Sequence, residues 1–212
     1  EKRDPEFFDE GANGAYFDYA TTAEYDKIVN FCDYIVDHPD TVPLKLRVKL
    51  LGYLMEEGRT LVVKTKPIEG YELADVIIDE VVFANKEYEK DIEVKVVRPE
   101  TEDVTYGVSV YLDGSGDIGL GINGKEEVKL FVTESYEKPV VWFSHMESLL
   151  GAWSREKHIY LANHVGDNHF YNRLYDESSG LHLFDSIISL NVSVVNAMLA
   201  VESTEPIVVD MP

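Results

Sequence analysis

From Thr60 onward the apolar residues of this chain recur at every second position, and that period limits the fold more than any other feature. In "YGVSVYL" the residues Tyr106, Val108, Val110 and Leu112 alternate with Gly107, Ser109 and Tyr111. An alternation of this kind places one apolar row on a single face of a strand, whereas a helix would scatter the same residues around its axis. The stretches "TLVVKTKPI" (60–68) and "IEVKVV" (92–97) also read as strands. In "DIGLGINGKEEVKLFV", Asn123-Gly124 predicts a two-residue type I′ hairpin turn, which would set Leu120 opposite Glu127 and Ile118 opposite Lys129.

Before Thr60 the spacing reads as helical. Thr21 and Glu24 stand at the spacing of a capping box, and Tyr25, Ile28, Cys32 and Ile35 fall on one face, predicting a helix over about 22–37. A second helix is expected from Pro43, with Leu44, Val48, Leu51 and Met55 inward, Lys45, Lys49 and Glu56 outward, and Gly58 as its C-cap. Further along, "KPVVWFS" (138–144) reads as a strand, "HMESLLGAW" (145–153) as a short helix and "HIYLANH" (158–164) as a strand. After residue 187 strand alternation and a helical pattern both fit. The expected fold class is therefore α+β: an N-terminal helical hairpin followed by a mainly antiparallel β-sheet. Residues 1–20 form an irregular acidic-aromatic arm in this reading, and 21–212 a single domain.

Charge gives the strongest functional signal. Forty acidic residues stand against nineteen basic ones, for a formal net charge of −21, and the surplus runs through most of the chain. Such a field repels nucleic acid and anionic membranes and attracts cations and basic protein surfaces. Direct nucleic-acid binding is thereby disfavoured. No apolar run is long enough to span a bilayer, and the first residues, "EKRDPEFFDE", lack the apolar segment of a secretion signal, which points to an intracellular location. The single cysteine, Cys32, rules out an internal disulfide framework and a multi-cysteine zinc site.

Chemistry-bearing residues concentrate in one stretch. Five of the six histidines fall within 145–182, among aspartates and asparagines. His164, Asp167 and His169 place three ligand-capable side chains within six residues, a set that suits a divalent cation such as zinc or manganese. His158, His145 or Glu147 could complete the set, or one histidine could act as a general base oriented by Asp167 or Asp176. Looser patterns occur elsewhere. Asp79 with Glu93-Val94-Lys95, and Asp117 with Glu127-Val128-Lys129, resemble the carboxylate–lysine spacing of metal-dependent nucleases. In the second trio the hairpin register would put Asp117 on the face opposite Glu127 and Lys129. Asp113, Ser115 and Asp117 match the first ligands of a calcium loop, but Gly124 stands where its closing glutamate belongs. No phosphate loop or nucleophile elbow is present.

Three functions follow, in order of preference. The first is an acidic, non-enzymatic interaction protein that binds a basic protein surface, as an inhibitor or nucleic-acid mimic does. The second is a metal-dependent hydrolase or nuclease centred on 145–182. The third is a structural subunit of a larger assembly. The first expects the carboxylates of 71–105 to carry partner contacts.

Overall fold

The computed structural model describes residues 14–52, 57–140, 142, 147 and 151–175. They divide into two compact units, one within 1–31 and 39–134 and the other within 32–38 and 135–212.

The first unit is built from strands. Cross-strand pairing of β3 (Thr41–Leu51) with β8 (Glu89–Val97) forms its longest ladder, running in antiparallel register from Thr41 opposite Val97 to Lys49 opposite Glu89. On the inward faces stand Val42, Leu46 and Val48 of β3 with Ile92, Val94 and Val96 of β8, all buried. On the outward faces Lys45, Arg47 and Lys49 stand opposite Glu93, Asp91 and Glu89. Opposite charges directly across an antiparallel pair stabilise it, so the strand that carries the basic residues is matched, residue by residue, to an acidic one. The remaining strands of this sheet are β1 (Gly14–Phe17), β6 (Val76–Ile78) and β10 (Gly119–Leu120), in the order β10-β1-β3-β8-β6.

A second sheet has the order β2-β11-β9-β4-β7, with β5 paired to β9. Its strands are β2 (Asp26–Asn30), β4 (Arg59–Pro67), β5 (Glu72–Leu73), β7 (Val81–Phe83), β9 (Tyr106–Asp113) and β11 (Glu127–Thr133). Val108, Val110 and Leu112 of β9 and Val128, Leu130 and Val132 of β11 join the same buried cluster as Phe17, Leu46, Val48 and Val94. Two sheets closed on one apolar core make a β-sandwich.

The expected helical hairpin and α+β class are overturned. Residues 43–51 belong to β3, because "PLKLRVKLL" alternates with period two and both of its rows find a partner on β8. Pro43 is tolerated because β1 reaches only Leu51 to Val48, leaving β3 flanked at Pro43 by β8 alone. In the other expected helix the Thr21–Glu24 capping box does form, with Glu24 Oε2 accepting from Thr21 N at 2.7 Å, but it opens only the 3-10 turn Thr22–Tyr25. Asp26–Asn30 then runs parallel to β11, and Ile28, assigned to a buried helix face, is 75% exposed.

The strands expected over 60–68, 92–97 and 106–112 are present as β4, β8 and β9. Asn123-Gly124 forms a turn, with Lys125 N donating to Ile122 O, but only Gly124 has positive φ (79°), which is a type II pattern and not type I′. The expected hairpin register is absent, since β10 pairs with β1 and β11 pairs with β9. Gly14 makes the first of these contacts possible: a Cβ there would lie 2.4 Å from Gly121 Cα and 2.6 Å from Leu120 O.

In the second unit, "HIYLANH" is not a strand but part of helix α1 (Arg155–Val165). Ser154 caps it by accepting from Lys157 N, Gly166 ends it in the left-handed conformation, and Leu161 and Ala162 are buried on one face. Ile35, Trp142, Leu161, Ala162 and Phe170 form the core of this unit. Val140 and Trp142 are helical, so the expected strand over 138–144 is not seen in its described residues. The undecided segment after 187 lies outside the described residues.

Replacing Gly14 with Ala is expected to force β10 away from β1 and to lower the stability of the sandwich by about 2 kcal/mol. Urea unfolding followed by far-UV circular dichroism checks this, and an unchanged midpoint would show that the close approach is not required.

Candidate functional site

The histidine segment is the site that the sequence singles out. His164 lies in the last turn of α1, is exposed, and stacks on Tyr160 with centroids 6.0 Å apart. Asp167 Oδ1 accepts from His169 N at 2.9 Å, closing the turn after the helix. His169 Nε2 lies 2.9 Å from Asp33 Oδ1, a partner the spacing of 164–169 could not indicate. The three predicted ligands thus have separate local roles. Among the described residues, no three His, Cys, Asp or Glu side chains gather closely enough to hold a metal ion. His145, His182 and Asp176 lie outside the described residues.

His158 is the most strongly perturbed group among the described residues of this unit. It is 5% exposed and surrounded by the rings of Tyr136, Trp153, Phe170 and Tyr171 at centroid distances of 5.3 to 6.2 Å. Trp153 Nε1–H donates to His158 Nδ1 at 3.3 Å. Burial, with a smaller contribution from nearby His169, pushes the imidazole down to about 4. An indole N–H can only donate, so this contact requires an unprotonated Nδ1 and holds His158 neutral. The geometry describes a core histidine serving as a packing and accepting group.

The folded value lies below the ordinary 6.5, so the unfolded chain binds the proton more tightly. The stability this group contributes is present above pH 6.5 and is lost as pH falls toward 4, by about 2 kcal/mol at pH 4.5. Both tryptophans of the chain, Trp142 and Trp153, lie in this unit, so their fluorescence reports on it selectively. Urea midpoints at pH 7.5 and 4.5 are expected to differ more in the native protein than in His158→Phe. An equal drop in both would remove His158 as the cause.

In the first unit the looser sequence patterns resolve into structural pairs. Asp79 Oδ2 binds Lys95 Nζ at 2.8 Å, at an exposed surface. Asp113 pairs with Lys64 and also accepts from Ser115 N, while Asp117 Oδ2 accepts from Thr60 N at 2.9 Å. These carboxylates brace the 113–119 turn. Glu127 accepts from Ser109 Oγ and Lys66 Nζ; burial pushes its carboxyl up, but these two bonds outweigh it and hold it below the usual range.

Two concave sites stand out among the described residues, and sequence spacing marked neither. The smaller, of about 220 Å³, is a cleft where Glu72 and Asp75 meet Glu100, with Leu73, Pro99 and Tyr106 completing its walls. Arg98 also lines it, but its guanidinium is held by Glu134 Oε1 at 2.6 Å and Pro39 O at 3.1 Å, with its face 4.7 Å from the Phe31 ring centroid. The larger, of about 540 Å³, is a groove beside β2 and β11, lined by Tyr19, Thr22, Tyr25, Asp26, Glu126 and Lys129 among others. Its residues come from two loops and two strand edges, so no local motif could have revealed it.

Comparison with known families decides the kinship. Residues 9–167 match the family described as "Domain of unknown function (DUF4843)". The chain belongs to this family. No curated protein matches it. Among solved structures, the apo-form Calx CBD1 domain is similar at 10% identity and a TM-score of 0.40, covering 59% of this chain and 99% of that one. The Calx CBD2 domain is similar at 12% identity and a TM-score of 0.40, covering 66% and 94%. A putative carbohydrate binding protein from Bacteroides ovatus ATCC 8483 is similar at 10% identity and a TM-score of 0.41, covering 58% and 38%. Among the described residues no helix is long and apolar enough to cross a membrane.

Proposed function

We propose that this DUF4843 chain is a non-enzymatic interaction protein that receives a positively charged protein surface at the cleft between Glu72, Asp75 and Glu100. The observation that carries this reading is the sorting of carboxylates within 71–105. Glu89, Asp91 and Glu93 stand opposite the bases of β3, Glu87 pairs with Lys90, and Asp79 pairs with Lys95. Glu72, Asp75 and Glu100 are exposed, share one concavity and form no side-chain ion pair among the described residues, while the base that lines the cleft with them, Arg98, is engaged by Glu134.

Carboxylates already facing a base add little attraction for a partner, whereas three unmatched ones around a cleft focus negative potential there. A lysine or arginine side chain entering between them would rest its aliphatic stem on Leu73, Pro99 and Tyr106. The net charge of −21 speeds approach of such a partner and disfavours direct nucleic-acid binding.

A short oligo-lysine peptide serves as probe. Its affinity is expected to fall steeply with added salt, and to drop about ten-fold in the Glu72→Gln/Asp75→Asn/Glu100→Gln variant. The Glu89→Gln/Asp91→Asn/Glu93→Gln variant removes the same charge but is expected to change affinity less than about two-fold while lowering stability. Equal losses in both variants, or none in either, would contradict the assignment of the cleft.

A further inference from the structure

The groove beside β2 and β11 has a different chemistry from the acidic cleft. Its volume of about 540 Å³ lies within the usual range for small-molecule sites. Its walls are fixed by bonds within the sandwich. Tyr25 Oη donates to Phe17 O at 2.7 Å, and Tyr19 Oη accepts from Arg47 N at 3.1 Å. The two rings meet edge to face at 5.3 Å, and Lys27 Nζ sits 3.7 Å from the Tyr19 ring centroid. The Thr21–Glu24 capping box and the Ile122–Lys125 turn hold the two loops that border the groove.

Polar groups of both kinds remain available on these walls. Glu126 is half-buried on the groove wall. Asp26 and Lys129 are register partners and exposed on β2 and β11, and both line the groove. The Thr22 hydroxyl can donate and accept. Glu127, in contrast, is fully occupied by Lys66 and Ser109.

This set discriminates between ligand classes. A simple anion would meet the carboxylates of Asp26, Glu126 and Glu127, and a simple cation would meet Lys125 and Lys129. A polyhydroxylated ligand suits both, because each hydroxyl can donate to a carboxylate and accept from an ammonium. The tyrosine walls provide apolar area for the C–H face of a sugar ring, and their fixed positions lower the ordering cost of binding.

We propose that this groove is a saccharide-binding site, with Glu126 and Asp26 as acceptors, Lys129 as donor, Thr22 as both, and Tyr19 and Tyr25 as the apolar wall. It is independent of the acidic cleft, so either assignment can fail without the other.

The test uses saturation-transfer NMR on the full chain with glucose, galactose, mannose, N-acetylglucosamine, cellobiose and maltose as probes. At least one is expected to bind, with affinity reduced ten-fold or more in both Glu126→Gln and Thr22→Val. Glu100→Gln, in the cleft, is expected to leave saccharide affinity unchanged. Circular dichroism spectra matching the native protein confirm that the variants fold, and Asp26→Asn, on the exposed edge, supplies a further groove variant if either is misfolded. Absence of binding by the whole panel would overturn the proposal. Binding that persists in the folded groove variants would overturn it equally, since the sugar would then sit elsewhere.

Discussion

The fold of the first unit depends on the pairing of β3 with β8. It is the longest ladder among the described residues, it contributes Val42, Leu46, Val48, Ile92, Val94 and Val96 to the core, and it sets three bases against three acids on the outside. A chain carrying −21 tends to resist compaction through self-repulsion. Bringing Lys45, Arg47 and Lys49 opposite Glu93, Asp91 and Glu89 removes part of that repulsion where two strands must lie side by side. Buried apolar rows supply the main driving force and fix the register, because a slip of one residue would turn every apolar side chain outward, and the charge ladder adds cross-strand attraction on the outer face.

The same pairing shapes the surface. By matching the basic strand with an acidic one, the fold neutralises a sheet face and leaves its unmatched carboxylates elsewhere. Glu72, Asp75 and Glu100 remain around one cleft, and Asp26 and Glu126 remain in one groove. The first is strongly acidic with an apolar floor. The second mixes carboxylates, ammonium groups and tyrosine rings. Net charge describes the approach of a partner, but these local arrangements determine what can be held.

Several features were legible in the sequence for identifiable reasons. The strict alternation of 106–112 and the rows of 60–68 and 92–97 led directly to β9, β4 and β8. Thr21 and Glu24 do form a capping box, but its spacing cannot indicate how many turns follow, and pairing with β11 draws Asp26–Asn30 into a strand. "PLKLRVKLL" carries apolar residues that satisfy both a helical and a strand spacing, and the deciding partners on β8 lie forty or more residues away. Asn123-Gly124 marked a turn correctly but not the pairing, which the contact of Gly14 with Leu120 and Gly121 redirects. In the second unit, His169 meets Asp33 across more than a hundred residues, and local spacing contains no trace of that contact.

A charge-swap cycle on β3 and β8 tests the organising role of this ladder most directly. Changing Lys45 and Arg47 to Glu places like charges opposite Glu93 and Asp91 and is expected to lower stability by about 1 to 2 kcal/mol in urea unfolding. Adding Glu93→Lys and Asp91→Arg restores opposite charges in reversed order, and is expected to recover most of the loss. A swapped protein no more stable than the one with like charges would contradict the account, because the ladder would then be a bystander to a fold set by apolar burial alone.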